Sequence, residues 1–348
     1  MINYNKAVNI LSKSKIKIKN EIILSQNSIN RVAAKTVYSK TSYPSGDNTA
    51  FDGYAINSQE TKNLTDKKTR KFKILKTLAA GDNPKIKKNI RYGAIEVMTG
   101  ALIPKPFDTI IPVEEINFYP NKKNPKYIII NKRINKNNHI RFAGSDYKKN
   151  DKIISSGEII NSSHILALKS LGVEKIIVKK KPIIIFYSTG NEISEKKNIP
   201  NWKVRNSNGS YIKSFNKVLP LDINEKSILR DNDEIKFSRE VKKNLKNKTD
   251  IIITIGAVSA GKYDYVPRVI KNFNGKGYFK GAKIRPGKPI LFSKLTSDTA
   301  FFGLPGNPVS TAACFRFFVL PYIFSSIGYS GNKPLKARLK NKFNKKKD

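Results

Sequence analysis

Three short stretches near the C-terminal end carry residue types that could do chemistry together: Thr254-Ile-Gly-Ala-Val-Ser-Ala-Gly-Lys-Tyr-Asp-Tyr265, Arg285-Pro-Gly-Lys-Pro289 and Gly303-Leu-Pro-Gly-Asn-Pro-Val-Ser310. Each joins an apolar run to a small-residue loop. Small residues such as Gly256, Ser259 and Gly261 let backbone approach a ligand, and N–H groups at a loop or helix start favour an anion. Arg285 and Lys288 sit on a turn stiffened by two prolines, so they lose less freedom on meeting such an anion. Asp264 follows the first loop, where a carboxylate would hold a cation or a hydroxyl. Gly303, Pro305 and Pro308 lead into an apolar helix that Asn307 can cap, with Pro308 at its first position. Ordinary strand–helix turns and capped core helices use the same residues. Farther upstream, Asp52 in Phe51-Asp-Gly-Tyr-Ala55, Thr99 in Val97-Met-Thr-Gly-Ala101, and Arg141 with Asp146 in Arg141-Phe-Ala-Gly-Ser-Asp146 occupy turns between apolar runs. Turn chemistry accounts for each of these singly.

The elements that must position these residues change style along the chain. Residues 1–36 are expected to be helical, with a Lys-rich outer face. From 41 to 146, short apolar runs alternate with Gly, Pro and Asn, the spacing of a β-rich module. Residues 162–171 are expected as a helix ended by Gly172, with a strand over 173–178. Beyond Pro182, Ile183-Ile-Ile-Phe-Tyr187 and Asp250-Ile-Ile-Ile-Thr-Ile255 are unbroken apolar runs ending near glycine, as buried parallel strands are. Residues 181–329 therefore predict an open α/β domain whose ligands sit outside the carboxyl ends of its strands. The expected organisation is multidomain α/β plus β-rich. Residues 1–40 and 147–180 form a linker or dimerisation domain, 41–146 an inserted β-rich domain, and 181–329 the α/β domain. Residues 330–348 are a remnant of a further domain or a disordered tail.

Bulk properties narrow the function classes. The 348 residues exceed one ordinary core. The formal charge of +41 comes from 67 Lys and Arg against 26 Asp and Glu, spread along the whole chain among Asn and Ile. A nucleic-acid binder would cluster that charge in a stripe with aromatics, so no nucleic-acid partner is expected. No run of the sequence is continuously apolar for the ~20 residues of a membrane span, and the N-terminus lacks the apolar core of a signal peptide, so no membrane partner is expected. The one cysteine, Cys314, lies in an apolar segment and reads as a buried thiol. Two histidines, His139 and His164, leave little for a His-based triad or zinc site. Any metal should be hard and oxygen-bound, through residues such as Asp52, Asp146, Asp231 and Asp264.

Taken in order, the motifs resemble the molybdopterin molybdenumtransferase family, the MoeA type to which the C-terminal domain of gephyrin belongs. The series runs through Asp47-Asn-Thr-Ala-Phe-Asp-Gly-Tyr-Ala55, Ala80-Gly81, Met98-Thr-Gly-Ala101, Pro104, Asp108, Glu114, Arg141 with Gly144 and Asp146, and Ser188-Thr-Gly-Asn-Glu192. It continues through Asn206-Ser-Asn208, Arg230-Asp231 and the three loops above. The resemblance implies insertion of molybdate into adenylylated molybdopterin with release of AMP, supported by Mg²⁺. It also implies a cytoplasmic homodimer whose cleft joins the α/β domain of one subunit to the β-rich domain of the other, and contact with the molybdopterin adenylyltransferase. By position, the glycine loops, Arg285, Lys288 and the stretch 303–308 would hold pterin, phosphate or molybdate. Glu192 and Asn208 would shape that pocket. Asp231 and Asp264 would serve substrate or cation, with Asp52 and Asp264 the metal ligands. Thr99, Arg141 and Asp146 would complete the site from the other subunit. Three positions depart from the pattern: Ala257 replaces the second glycine of the phosphate loop, Phe51 a methionine, and Asn206 an acid. The family also carries a fourth small β-domain, of which 335–343 would be the first strand. Two alternatives are an adenylyltransferase-like activity, since that enzyme shares the α/β domain, and a non-catalytic molybdopterin-binding protein.

Overall fold

The structure is a computed structural model, and it describes residues 1–86, 90–258, 264–331 and 338. The chain divides into two units, one of Met1–Val37, Ile154–Lys169 and Val173–Asp348, the other of Tyr38–Ile153 and Ser170–Gly172.

The second unit is built on a six-stranded sheet. Its strands are β1 (Gly53–Ile56), β2 (Arg70–Leu78), β3 (Gly93–Val97), β4 (Thr109–Pro112), β5 (Asn117–Tyr119) and β6 (Tyr127–Ile130), in the order β4-β1-β3-β2-β6-β5. Pairing is antiparallel except between β2 and β3. Tyr54 and Ile56 join one core and Ala55 joins another with Ile95, Val97 and Ile110, so the two faces of β1 are both covered. Gly53 is required here: a Cβ would lie 2.1 Å from the Ile111 carbonyl oxygen on the neighbouring strand.

The first unit holds the α/β sheet. Its strands are β7 (Ile183–Ser188), β8 (Asp222–Glu225), β9 (Ile251–Ile255), β10 (Lys276–Lys280), β11 (Leu291–Lys294) and β12 (Ala300–Leu304), in the order β8-β7-β9-β12-β11-β10. The first four are parallel, and β11 and β10 extend the sheet antiparallel. Both faces are packed, which explains the unbroken apolar runs. Ile184, Phe186, Ile253, Phe302 and Leu304 face one core, and Ile185, Tyr187, Ile252 and Phe301 the other. Burying each such side chain stabilises by about 1.5–3 kcal/mol. The first face is covered by helix α1 (Tyr4–Lys13), which contributes Ala7 and Leu11, and by helix α3 (Ser207–Ser214). The second is covered by α4 (Glu234–Lys246) and α5 (Val266–Lys271). The expected helix after Asn161 is α2 (Ser162–Ser170), with Asn161 Oδ1 accepting from His164 N at 3.0 Å.

Two expectations change. In the first 36 residues only α1 and one 3-10 turn at Ser25–Asn27 are helical; Asn20–Leu24 is a strand, alternately exposed and half-buried, that pairs antiparallel with Lys175–Lys179. Period-2 burial across Glu21, Ile22 and Ile23 wins over helical propensity there. The second concerns the last helix, α6 (Pro308–Ile327). Although its sequence is interrupted by Ser310, Thr311 and Arg316, it is long and apolar enough to cross a membrane by length and composition, and the only helix among the described residues that is. Its Phe315, Phe318, Leu320, Tyr322 and Ile323 pack in the α/β core.

Candidate functional site

A pocket of about 270 Å³ opens over the carboxyl ends of β7, β9 and β12. Three adjacent parallel strands deliver its floor, each by the segment that follows it: Thr189 and Gly190 after β7, Gly256 to Val258 after β9, Pro305 and Gly306 after β12. Glu192, Asp231 and Asp264 add three carboxylates to the wall, and Pro289 closes one side. This is the crevice an open parallel sheet offers, because its loops diverge where the strands end.

The backbone at that floor is specialised. Gly256 has φ 98°, and a Cβ on it would stand 2.5 Å from Thr189 Oγ1. Its neighbour Ala257 also takes a left-handed φ of 54°, so the methyl that departs from Gly-Gly sits where glycine is favoured. Gly303 has a different task. It lies within β12, where a Cβ would meet Val258 Cγ1 at 2.7 Å, so the close approach it permits is to Val258. Ser259 and Gly261 lie outside the described residues, as does the strand expected over 335–343 apart from residue 338.

Neighbouring groups hold the rim. Arg230 Nη1 donates to the carbonyl oxygens of Gly190, Asn191 and Ile193 at 3.1, 3.4 and 3.2 Å, clamping the loop that carries Glu192. Its position beside Asp231 was the one sequence signal for it. Asn208 Nδ2 donates to the Gly306 carbonyl oxygen at 2.8 Å, tying α3 to the loop after β12. Asn206 caps α3 by accepting from Gly209 N at 3.0 Å. Asn307 caps α6, with Pro308 in its first turn. Tyr265 is buried beside the site, and its hydroxyl has no partner among the described residues. Burial, then the charges of Asp233, Asp231 and Glu234, push that hydroxyl's pKa up.

The pocket is more acidic than the loops suggest. Three carboxylates line it, and no cation does among the described residues. Arg285 and Lys288 are exposed on their turn and are not part of the lining; Pro289 is. That turn rests on α6, where Cys314 Sγ donates to the Gly287 carbonyl oxygen at 3.2 Å. Burial pushes the Cys314 thiol up to about 12, which makes it a packed group with no thiolate to offer. Among the described residues, no three acidic, histidine or cysteine side chains converge to hold a metal. A ready-made protein cage is therefore absent there, and the donor set suits Mg²⁺, which takes one or two carboxylates and completes its shell with water and phosphate oxygens.

The second unit brings its own residues together in two pairs. Asp52 Oδ1 accepts from Thr99 N at 2.6 Å and Thr99 Oγ1 at 2.7 Å. Strand register explains this: Gly53 pairs with Val97, so the residue before one strand meets the turn after the other. Thr99's side-chain bond, then its backbone bond, hold the Asp52 carboxyl below the usual carboxylate range. Arg141 forms an ion pair with Asp146, and its guanidinium stands 5.8 Å from the centre of the Tyr43 ring. All four of these site residues are exposed. Asp108 has a local role, accepting from Ser58 N at 2.8 Å and Ser58 Oγ at 3.0 Å.

The chain matches two family profiles, the MoeA N-terminal region (domain I and II) over residues 2–172 and a probable molybdopterin binding domain over 185–325. A protein of Staphylococcus epidermidis named molybdopterin molybdenumtransferase is 28% identical over 349 residues, covering 99% of this chain and 81% of that one. One of Staphylococcus aureus with the same name is 28% identical over 324 residues, covering 92% and 75%. The crystal structure of a molybdopterin biosynthesis MoeA protein from Pyrococcus horikoshii superposes with a TM-score of 0.82 at 25% identity, covering 95% of this chain and 81% of that one. With both profiles in order and the fold shared, the chain belongs to the MoeA family of molybdopterin molybdenumtransferases, transferases of molybdenum cofactor biosynthesis.

Proposed function

We propose that the protein inserts molybdate into adenylylated molybdopterin and releases AMP. The observation that carries this is the pocket over β7, β9 and β12, with Glu192, Asp231 and Asp264 in its wall, inside the segment that matches a molybdopterin binding domain. In this reading, Gly256, Ala257, Pro305 and Gly306 form a close-fitting floor for the pterin end. Hydrolysis breaks the phosphoanhydride of the adenylate and AMP leaves; the dithiol's two sulfurs then bond the molybdenum of molybdate, and their two protons depart with one molybdate oxygen as water. Asp264, with Asp52, would hold Mg²⁺, which supplies positive charge at the phosphoanhydride. Asp231 orients the attacking water or the substrate's donors. Thr99 keeps Asp52 ionised and aimed, and Arg141 and Asp146 act with them. Arg285 and Lys288 draw anions toward the rim. The working form is a cytoplasmic homodimer in which the β-rich unit of one copy completes the site of the other, and it receives substrate from the adenylyltransferase.

The test is turnover by the full chain, with adenylylated molybdopterin, molybdate and Mg²⁺, read as AMP release and as activation of an apo-molybdoenzyme. Release of AMP that needs both molybdate and Mg²⁺ is the expected result. Consumption of ATP with free molybdopterin, and no molybdate dependence, would replace this reading with the adenylyltransferase one.

A further inference from the structure

A second cavity lies next to the first in the chain's own connectivity, and its charge is opposite. It measures about 370 Å³ and is lined by Lys196, Lys197, Arg205 and Lys213, with Glu195, Glu225 and Asn206. The loop that gives Glu192 to the first pocket gives Ser194 and Glu195 to this one. The start of α3 also joins the two: Asn206 lines the second cavity, and Asn208 holds the Gly306 carbonyl of the first.

The charges in the second cavity are partly pre-assigned. Glu225 is nearly buried, with its side chain 8% exposed; it accepts from Asn206 Nδ2 at 2.6 Å and Ser188 Oγ at 3.1 Å, and pairs with Lys213 at 3.4 Å. That network consumes one cation. Arg205 is oriented by donating to the Lys197 carbonyl oxygen at 3.1 Å, which leaves most of its fork available. Lys196, Lys197 and Arg205 make no ion pair among the described residues. Three cations against Glu195 leave the cavity positive. The short parallel pairing of Ile193 with Val204 and Ser194 with Arg205 fixes the two segments that carry them.

From this partition of charge we propose that the second cavity is the subsite for a phosphate ester of the ligand, and that the acidic pocket takes the ligand's donor-rich part, where a phosphate oxygen is admitted only with a cation to offset the carboxylates. A phosphate placed against Glu192, Asp231 and Asp264 alone would meet like charge; one placed among Lys196, Lys197 and Arg205 meets its counterions. The assignment of that ester to the adenylate of the substrate rests on the function proposed above. The subsite itself does not.

The experiment uses AMP as probe and the intact chain. Calorimetric titration at low salt should show AMP binding that weakens at least tenfold in a K196A/K197A/R205A variant and returns toward normal in K196A/K197A with Arg205 restored. A control variant, K17A/K19A/K248A, removes the same charge from lysines around a separate cavity that includes Asp250 and Asp298, and should bind AMP as the parent does. Equal weakening in both variants, no weakening in the first, or no AMP binding by the parent would each overturn the subsite. In turnover, the first variant should raise KM for adenylylated molybdopterin at least tenfold. A parent that binds AMP through these residues yet releases none from the adenylate would leave the subsite standing and remove the proposed function instead.

Discussion

Carboxylates occur at the candidate sites of both units, but they are held in different ways. In the β-rich unit, Asp52 and Asp146 are exposed and already engaged by side chains, Asp52 by Thr99 and Asp146 by Arg141. In the α/β unit, Glu192 and Asp231 ride on loops whose positions come from backbone: parallel strand ends beneath, and Arg230 bonded to three carbonyl groups. The first arrangement fixes the direction of a particular oxygen. The second fixes the shape of a floor and lets the side chains answer to whatever lands on it. A turnover step needs both, an aimed charge and a fitted pocket.

The largest test of this contrast removes one carboxylate from each side. Asp264→Ala and Asp52→Ala should each lower turnover by at least about 100-fold, while the thermal unfolding midpoint stays near that of the parent. Parent-like turnover in either would take that residue out of the chemistry. The floor should be the sensitive part of the α/β side. Gly256→Val puts a branched side chain at φ 98° against Thr189 Oγ1 and should cost at least about 2 kcal/mol in denaturant unfolding. Arg230→Met should cost less, about 1 kcal/mol because the guanidinium is exposed, yet raise the substrate KM through the loosened loop 190–193. A loss of stability with KM unchanged would mean that the clamp serves only the fold. Ala257→Gly should stabilise, by about 1 kcal/mol or less, because alanine is strained at φ 54° and glycine is not.

The smallest effect is a titration on the β-rich side. Thr99→Val removes the hydroxyl that contributes most to the lowered Asp52 pKa, so that pKa should rise toward 3.8. The sign follows from linkage: a depressed carboxylate pKa adds stability above the unfolded value, and that stability is lost as pH falls through the folded value. The Thr99→Val chain should therefore resemble the parent in the most acidic range and fall behind it at neutral pH. Carboxyl NMR titration reads the shift directly; an unmoved Asp52 would show that the backbone N–H of Thr99 suffices.

The sequence made some of this legible and hid the rest for physical reasons. β7 and β9 stood out because strands covered on both faces have no polar alternation to blur them. Three glycine-bearing loops pointed to the carboxyl edge, and the pocket is there. Its acidity was less visible, because exposed Arg285 and Lys288 are close in sequence to Pro289 without lining the pocket with it. The Asp52–Thr99 pair spans 47 positions and depends on the register of Gly53 against Val97, which composition does not encode. Residues 20–24 misled because Glu, Ile and Leu suit an amphipathic helix as well as a strand, and only the partner at 175–179 decides. Gly303 was conspicuous as part of a loop opening an apolar helix; what the structure adds is its close approach to Val258, which a sequence of separated loops does not reveal.

Gly287 has φ 111°, and a Cβ there would lie 2.8 Å from Cys314 Sγ, so turn and helix are in contact through the chain's one cysteine. This makes the molecule its own clock. Cys314 is fully buried, so a thiol reagent should reach it only when the structure around it opens, and the rate of alkylation should count such openings, lifting of the turn from α6 among them. Ligands that settle on the rim should slow it, and no label need be introduced to see them do so.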